Sequence, residues 1–198
     1  MKRPFNFLAG MLALATLTLL ASGTVYAHPG LEGVGGGFLA GLTHPLLGLD
    51  HIVAMVAVGL WSLSQVPKFR SMIPLLAMLG MLLGALSAWA GLVIPGMEFG
   101  VAMSVLLMGL LLITLARMPT SLGSLIVVLF LFCHGQAHGS EMPSGIAPWA
   151  YLAGFTVATL GIIYLARRAG SLMAARDKHL LKGIGVAIAA LGASFVIG

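Results

Sequence analysis

Two short segments place histidines and carboxylates within otherwise apolar stretches. The segments are HPLLGLDH at positions 44–51 and CHGQAHGSE at positions 133–141. Their ionisable residues are His44, Asp50 and His51 in the first segment and His134, His138 and Glu141 in the second. An ionisable side chain at the centre of a membrane helix costs about 2.5–3.5 kcal/mol, so it usually marks a binding site or an ion pathway.

The histidine spacing favours metal binding. His44 and His51 lie two turns apart on one face of a regular helix, while Pro45 and Gly48 between them predict a distorted helix. Such broken helices recur at transporter binding sites. His134 and His138 are four residues apart, so both imidazoles share one helix face and can bind one ion. Imidazoles with carboxylates and no thiolate suit nickel, cobalt, copper or zinc.

The same residues allow other interpretations. The histidines could make structural hydrogen bonds between helices, or they could relay protons without a metal ion. Asp50 could act as an outer partner that orients His51 through its second ring nitrogen instead of binding the ion. Cys133 beside the second motif is an ambiguous ligand. The methionines show no clustered motif, which favours core packing.

The composition predicts an integral membrane protein. The chain of 198 residues is 60% hydrophobic and 8% charged, whereas a typical soluble domain is about 25% charged. The net charge of +5 is spread thinly and predicts no nucleic-acid partner. With one cysteine, the chain cannot form an internal disulfide.

The first 27 residues are typical of a secretory signal peptide. Lys2 and Arg3 precede an apolar stretch that ends in V-Y-A, which predicts cleavage after Ala27. The alternative is an uncleaved first helix. The predicted domains are therefore a signal peptide at 1–27 and a transmembrane domain at 28–198, which would begin with His28.

Six apolar segments after the signal peptide predict an all-α bundle of six transmembrane helices. The predicted spans are about 35–63, 72–92, 99–116, 121–139, 149–165 and 183–197. Lysines and arginines lie in the linkers after the first, third and fifth spans, whereas the other two linkers carry Glu98 and Glu141. The positive-inside rule therefore predicts that both ends of the mature chain face the exported side. Repeated small residues, such as Gly80 with Gly84 and Gly100 with Ser104, predict close helix packing within one chain.

Both motifs resemble those of the HupE/UreJ family of nickel and cobalt permeases. The family carries HPxxGxDH in its first span, matched here by His44-Pro45, Gly48 and Asp50-His51. It carries a pattern like FHGxAHGxE in its fourth span, and here Cys133 stands where phenylalanine is typical. The resemblance also covers the signal peptide and the six-span layout.

This resemblance implies a multi-pass protein of the bacterial inner membrane that imports Ni²⁺ or Co²⁺. The imported ion would supply the maturation of metalloenzymes such as hydrogenase or urease, or cobalamin synthesis. The ion is then a substrate, and we expect neither an enzymatic activity nor a bound cofactor. A homo-oligomer is compatible with this role. The sequence has no nucleotide-binding P-loop, so transport would be secondary or channel-like unless a partner hydrolyses ATP.

The expected metal site combines the two motifs, which lie at similar depth near the exported side. The ion would bind His44, His51, His134 and His138, with Asp50 and Glu141 supplying negative charge. Residues His28, Glu32 and Glu98 are candidates for initial capture. Two other functions stay open: an accessory subunit that scaffolds a partner, and a membrane metallohydrolase, although HExxH is absent.

Overall fold

The structure, a computed structural model, describes residues 34–92 and 94–197, and its regular elements in these ranges are helices. They are α1 Val34–Thr43, α2 Leu49–Trp61, α3 Pro67–Trp89, α4 Met97–Thr114, α5 Thr120–Ser140, α6 Pro148–Arg176 and α7 His179–Ile197. Single 3₁₀ turns cover His44–Leu46 and Ser62–Ser64. The predicted signal peptide, His28 and Glu32 lie outside the described residues.

Among the described residues, five helices, α3 to α7, are long and apolar enough to cross a bilayer. The predicted first span is instead two helices bent by 76° between Leu46 and Leu49. The break has a local cause, because Pro45 has no backbone N–H to continue a helix and Gly48 is extended, with φ −91° and ψ 114°. The count reaches the predicted six when the bent pair is one broken span.

The helix boundaries differ from the predicted ones mainly at the last linker. Helix α6 continues past residue 165, so three arginines expected in that linker, Arg167, Arg168 and Arg176, lie on the helix. His179, also expected in the linker, is the first residue of α7. Arginine, alanine and leucine favour helix, so α6 continues to Arg176, beyond the end of the apolar run on which the predicted boundary at residue 165 was based.

Helices pack in close pairs, in which α3 lies against α5, α4 against α7, and α1 and α2 against α6. Small residues allow this approach. A Cβ atom added to Gly80 would lie 2.5 Å from the carbonyl oxygen of Val128, and one at Gly84 would lie 2.6 Å from the Gln136 nitrogen. The predicted use of small residues for packing within one chain is therefore confirmed at these two positions. The close contact places α5, which carries the second histidine motif, beside α3.

The two ends of the bundle differ in charge. One end carries Glu98, which the sequence placed in a linker but which lies in the first turn of α4, and Glu141, which directly follows α5. At the other end, Arg70 donates hydrogen bonds to the carbonyl oxygens of Ser62, Leu63 and Gln65. Arg167 donates to the Ser62 hydroxyl and to the Arg70 carbonyl oxygen. We call this the arginine end, and the bonds there join the segment that follows α2 to α3 and α6.

Candidate metal site

Three ligand atoms of the two motifs meet near the end of the bundle opposite the arginine end. His44 Nε2 lies 2.9 Å from His138 Nδ1 and 3.1 Å from Glu141 Oε2, and His138 Nδ1 lies 2.9 Å from the same oxygen. We call these residues the exposed group, because the Glu141 side chain is 56% exposed. The helix break brings His44 to this position beside the last turn of α5.

The triangle formed by these atoms has the size expected of a metal site. Neighbouring ligands on an octahedral ion with bonds of about 2.1 Å lie about 3.0 Å apart. Hydrogen bonds from His138 and His44 lower the pKa of the Glu141 carboxyl to about 2, so this group is an anion at neutral pH. The exposed group therefore offers one negative charge and two imidazoles.

A second set of ligand atoms lies deeper and consists only of imidazoles. His51, His134 and His138 each offer one ring nitrogen, and the three atoms lie within 4.8 Å of one another. The first two rings are completely buried and His138 nearly so. We call these residues the buried group. A buried set of three imidazoles suits nickel, cobalt, copper or zinc.

Both completely buried rings have one bonded and one unbonded nitrogen. His51 Nε2 lies 3.2 Å from the Thr159 hydroxyl, and His134 Nε2 lies 3.0 Å from the Ser104 hydroxyl. The Nδ1 atoms of both rings are buried and have no hydrogen-bond partner within the described part of the chain. Since buried polar atoms are normally paired, these two nitrogens are candidates for binding an ion.

His138 belongs to both groups, so the two sets are continuous. Its ring centroid lies 4.8 Å from that of His44 and 4.9 Å from that of His51. Sequence reasoning placed one ion among all the motif residues. The structure instead brings the four histidines and Glu141 together as two adjacent sets of three with one shared member.

The structure places Asp50 outside both sets. Its Oδ1 atom accepts a hydrogen bond of 2.8 Å from the backbone N–H of His51. The interpretation in which Asp50 orients the His51 ring is not supported, because the outer partner of that ring is Thr159. Asp50 instead lines a cavity of about 530 Å³ together with Glu98, His138 and Glu141.

Three residues at the site were not predicted as site residues. The Phe155 ring packs 5.1 Å from both His51 and His138, measured between centroids, and forms an apolar wall. Ser104 was interpreted only as a small packing residue, and Thr159 lies in the middle of an apolar span. The only sequence signal for both hydroxyls was their polarity within a predicted membrane helix.

Comparison with known proteins agrees with the motif analysis. Residues 14–195 match the protein family described as HupE / UreJ protein. The chain is 34% identical over 185 residues to Protein HupE of Rhizobium leguminosarum bv. viciae, an alignment that covers 92% of this chain and 96% of the relative. No solved structure matches this chain significantly.

Proposed function

The chain belongs to the HupE/UreJ family, which is associated with nickel and cobalt uptake, and we propose that it moves Ni²⁺ or Co²⁺ through the two histidine groups. The ion is the transported substrate. It would supply metalloenzyme or cobalamin assembly in a bacterium, and the protein would lie in the inner membrane. Transport would be secondary, because the sequence contains no P-loop.

The observation that carries this proposal is the sharing of His138 between the exposed and buried groups. An ion held by His44, His138 and Glu141 can exchange ligands one at a time for His51 and His134. His138 is a ligand both before and after this exchange. Stepwise exchange avoids leaving a desolvated cation unpaired in an apolar environment, which is costly.

The cavity beside the exposed group suits the entry of a cation. Three carboxylates line it, those of Asp50, Glu98 and Glu141, and no lysine or arginine among the described residues does. A cavity lined by one sign of charge raises the local concentration of the opposite ion. We propose this cavity as the entrance. His28 and Glu32 remain candidates for capture before it.

The route beyond the buried group is closed in this structure. Along α2 from His51 towards the arginine end, Met55, Val58 and Trp61 are fully buried in the apolar core. Release of the ion towards that end therefore needs a rearrangement. We propose the break at Pro45 and Gly48 as its hinge, since no continuous helix joins α1 to α2 there.

We propose that the arginine end faces the cytoplasm, with both ends of the mature chain on the exported side. Basic residues concentrate at the arginine end, in agreement with the positive-inside rule. A reporter enzyme active only in the periplasm should be active when fused after Gly198. The same reporter inserted between Asp177 and Lys178 should be inactive. The reverse pattern would show the opposite orientation.

Uptake by the purified full-length chain in liposomes tests the proposed function directly. Vesicles that contain a metal-sensitive dye should accumulate external Ni²⁺ or Co²⁺, and each ion should compete with the other. A protein that binds these ions but never moves them would be an accessory subunit. Proton movement that is independent of any added metal would favour the proton relay.

A further inference from the structure

We propose that Ser104 and Thr159 are positioning residues that hold His134 and His51 as the tautomers whose Nδ1 atoms can bind the ion. This inference rests on the proposed function, because it assigns the outer partners of the buried group. Both hydroxyl residues are buried, with 1% of each exposed. They lie on α4 and α6, which contribute no ligand to either histidine group.

Ser104 is placed to accept a hydrogen bond from His134. A serine hydroxyl carries one proton, and the Val101 carbonyl oxygen, 2.7 Å from Ser104 Oγ, can accept it. His134 Nε2 lies 3.0 Å from Ser104 Oγ and is then the donor in this second contact. A neutral imidazole has one N–H, so the Nδ1 atom of His134 holds a free lone pair.

Thr159 can serve the same tautomer at His51. Its hydroxyl lies 3.2 Å from His51 Nε2 and can accept a hydrogen bond from that nitrogen. In the alternative tautomer, the proton would lie on Nδ1, which is buried and lacks an acceptor among the described residues. That N–H would be unsatisfied and could not bind a cation.

With both Nε2 atoms bonded to hydroxyls, His51 and His134 each direct one Nδ1 lone pair to the same ion. A ring that binds metal through one nitrogen typically donates its other N–H to an outer partner, which fixes the tautomer and the ring orientation. Hydroxyls suit this position because they do not ionise near neutral pH. The tautomers and ring orientations of His51 and His134 should therefore not depend on the charge of a neighbouring carboxylate.

The test combines four variants and a control. Ser104→Ala and Thr159→Val remove the hydroxyls with little change in shape, whereas Ser104→Thr and Thr159→Ser keep them. Ser87→Ala is the matched control, because Ser87 also donates to the carbonyl three residues earlier but lies outside the site. Nitrogen-15 NMR of metal-free, histidine-labelled protein in liposomes reports the tautomer, and the pair of ring signals that is lost in His51→Gln or His134→Gln assigns it to that ring. Titration with Ni²⁺ reports the affinity.

We expect Nε2–H tautomers for both rings in the parent protein. Loss of either hydroxyl should mix the tautomers of its own ring only and weaken Ni²⁺ binding by about 10- to 100-fold. The hydroxyl-retaining variants and the control should keep the parent tautomers and an affinity close to that of the parent. A structural role alone would not move the NMR signal of one particular ring.

The outcomes separate this inference from the proposed function. A parent protein that transports metal but carries the proton on Nδ1 of His134 or His51 overturns the positioning role alone. Unchanged tautomers and affinity in Ser104→Ala and Thr159→Val overturn it as well. A parent with Nε2–H rings that neither binds nor moves Ni²⁺ or Co²⁺ overturns both the inference and the proposed function.

Discussion

Replacing His138 with alanine should reduce Ni²⁺ or Co²⁺ uptake to background at every metal concentration tested. His138 is the only residue common to the exposed and buried groups, so its loss leaves two ligands in each. Loss of an outer partner typically costs 10- to 100-fold in metal affinity, and loss of a direct ligand should cost more. The measurement is uptake of radioactive metal by cells that express the variant, normalised to the amount of protein in the membrane.

His44→Ala is the variant with which uptake by His138→Ala should be compared. It removes one ligand from the exposed group but leaves the buried group complete. Its uptake should fall at limiting metal and recover as the external metal concentration is raised, whereas His138→Ala should not recover. His179→Ala is the control, because this exposed histidine belongs to neither group. If His138→Ala matched the parent at limiting metal, the shared-ligand pathway would be wrong.

Gly84→Leu should prevent the chain from folding into its native bundle. A Cβ at this position would overlap the carbonyl oxygen of Phe132 and lie 2.6 Å from the Gln136 nitrogen, both backbone atoms of α5. Because backbone cannot move aside as a side chain can, α3 and α5 would have to separate. Overpacking a core typically costs about 1–3 kcal/mol, and forced helix separation should exceed this range. The measurement is the yield of monodisperse protein after extraction in a mild detergent.

Gly161→Leu is the matched control for Gly84→Leu. An added Cβ at Gly161, also in the middle of a long apolar helix, meets no atom within 4 Å among the described residues. Its yield should equal that of the parent, since leucine is tolerated on a lipid-facing surface. Equal yields for both variants would mean that α3 and α5 are not in close contact.

The sequence by itself determined the class of protein and the residues worth testing. Its apolar segments predicted membrane helices, and five of the predicted spans correspond to helices α3 to α7. Pro45 and Gly48 predicted the helix distortion that the structure shows as a 76° bend. Both results rest on local physical chemistry, namely the length of apolar runs and the lost donor of proline. The family followed from the two motifs.

Helix periodicity also predicted that His134 and His138 share a face, because that spacing depends on one helix alone. It could not predict which atoms of distant helices meet. His44 and His138 are 94 residues apart in sequence, and their 2.9 Å contact depends on the helix bend and on the packing of α1 and α2 against α6. The two overlapping groups follow from that contact.

Only the tertiary structure identified Ser104 and Thr159 as partners of the buried imidazoles, and only it placed Asp50 outside both histidine groups. The physical reason is the rotation of each helix about its axis. In a chain with 27 glycines, many pairs of small residues could form close helix contacts, and the sequence does not say which surfaces meet. The observed packing of α4 against α5 and of α2 against α6 sets which hydroxyl faces which ring.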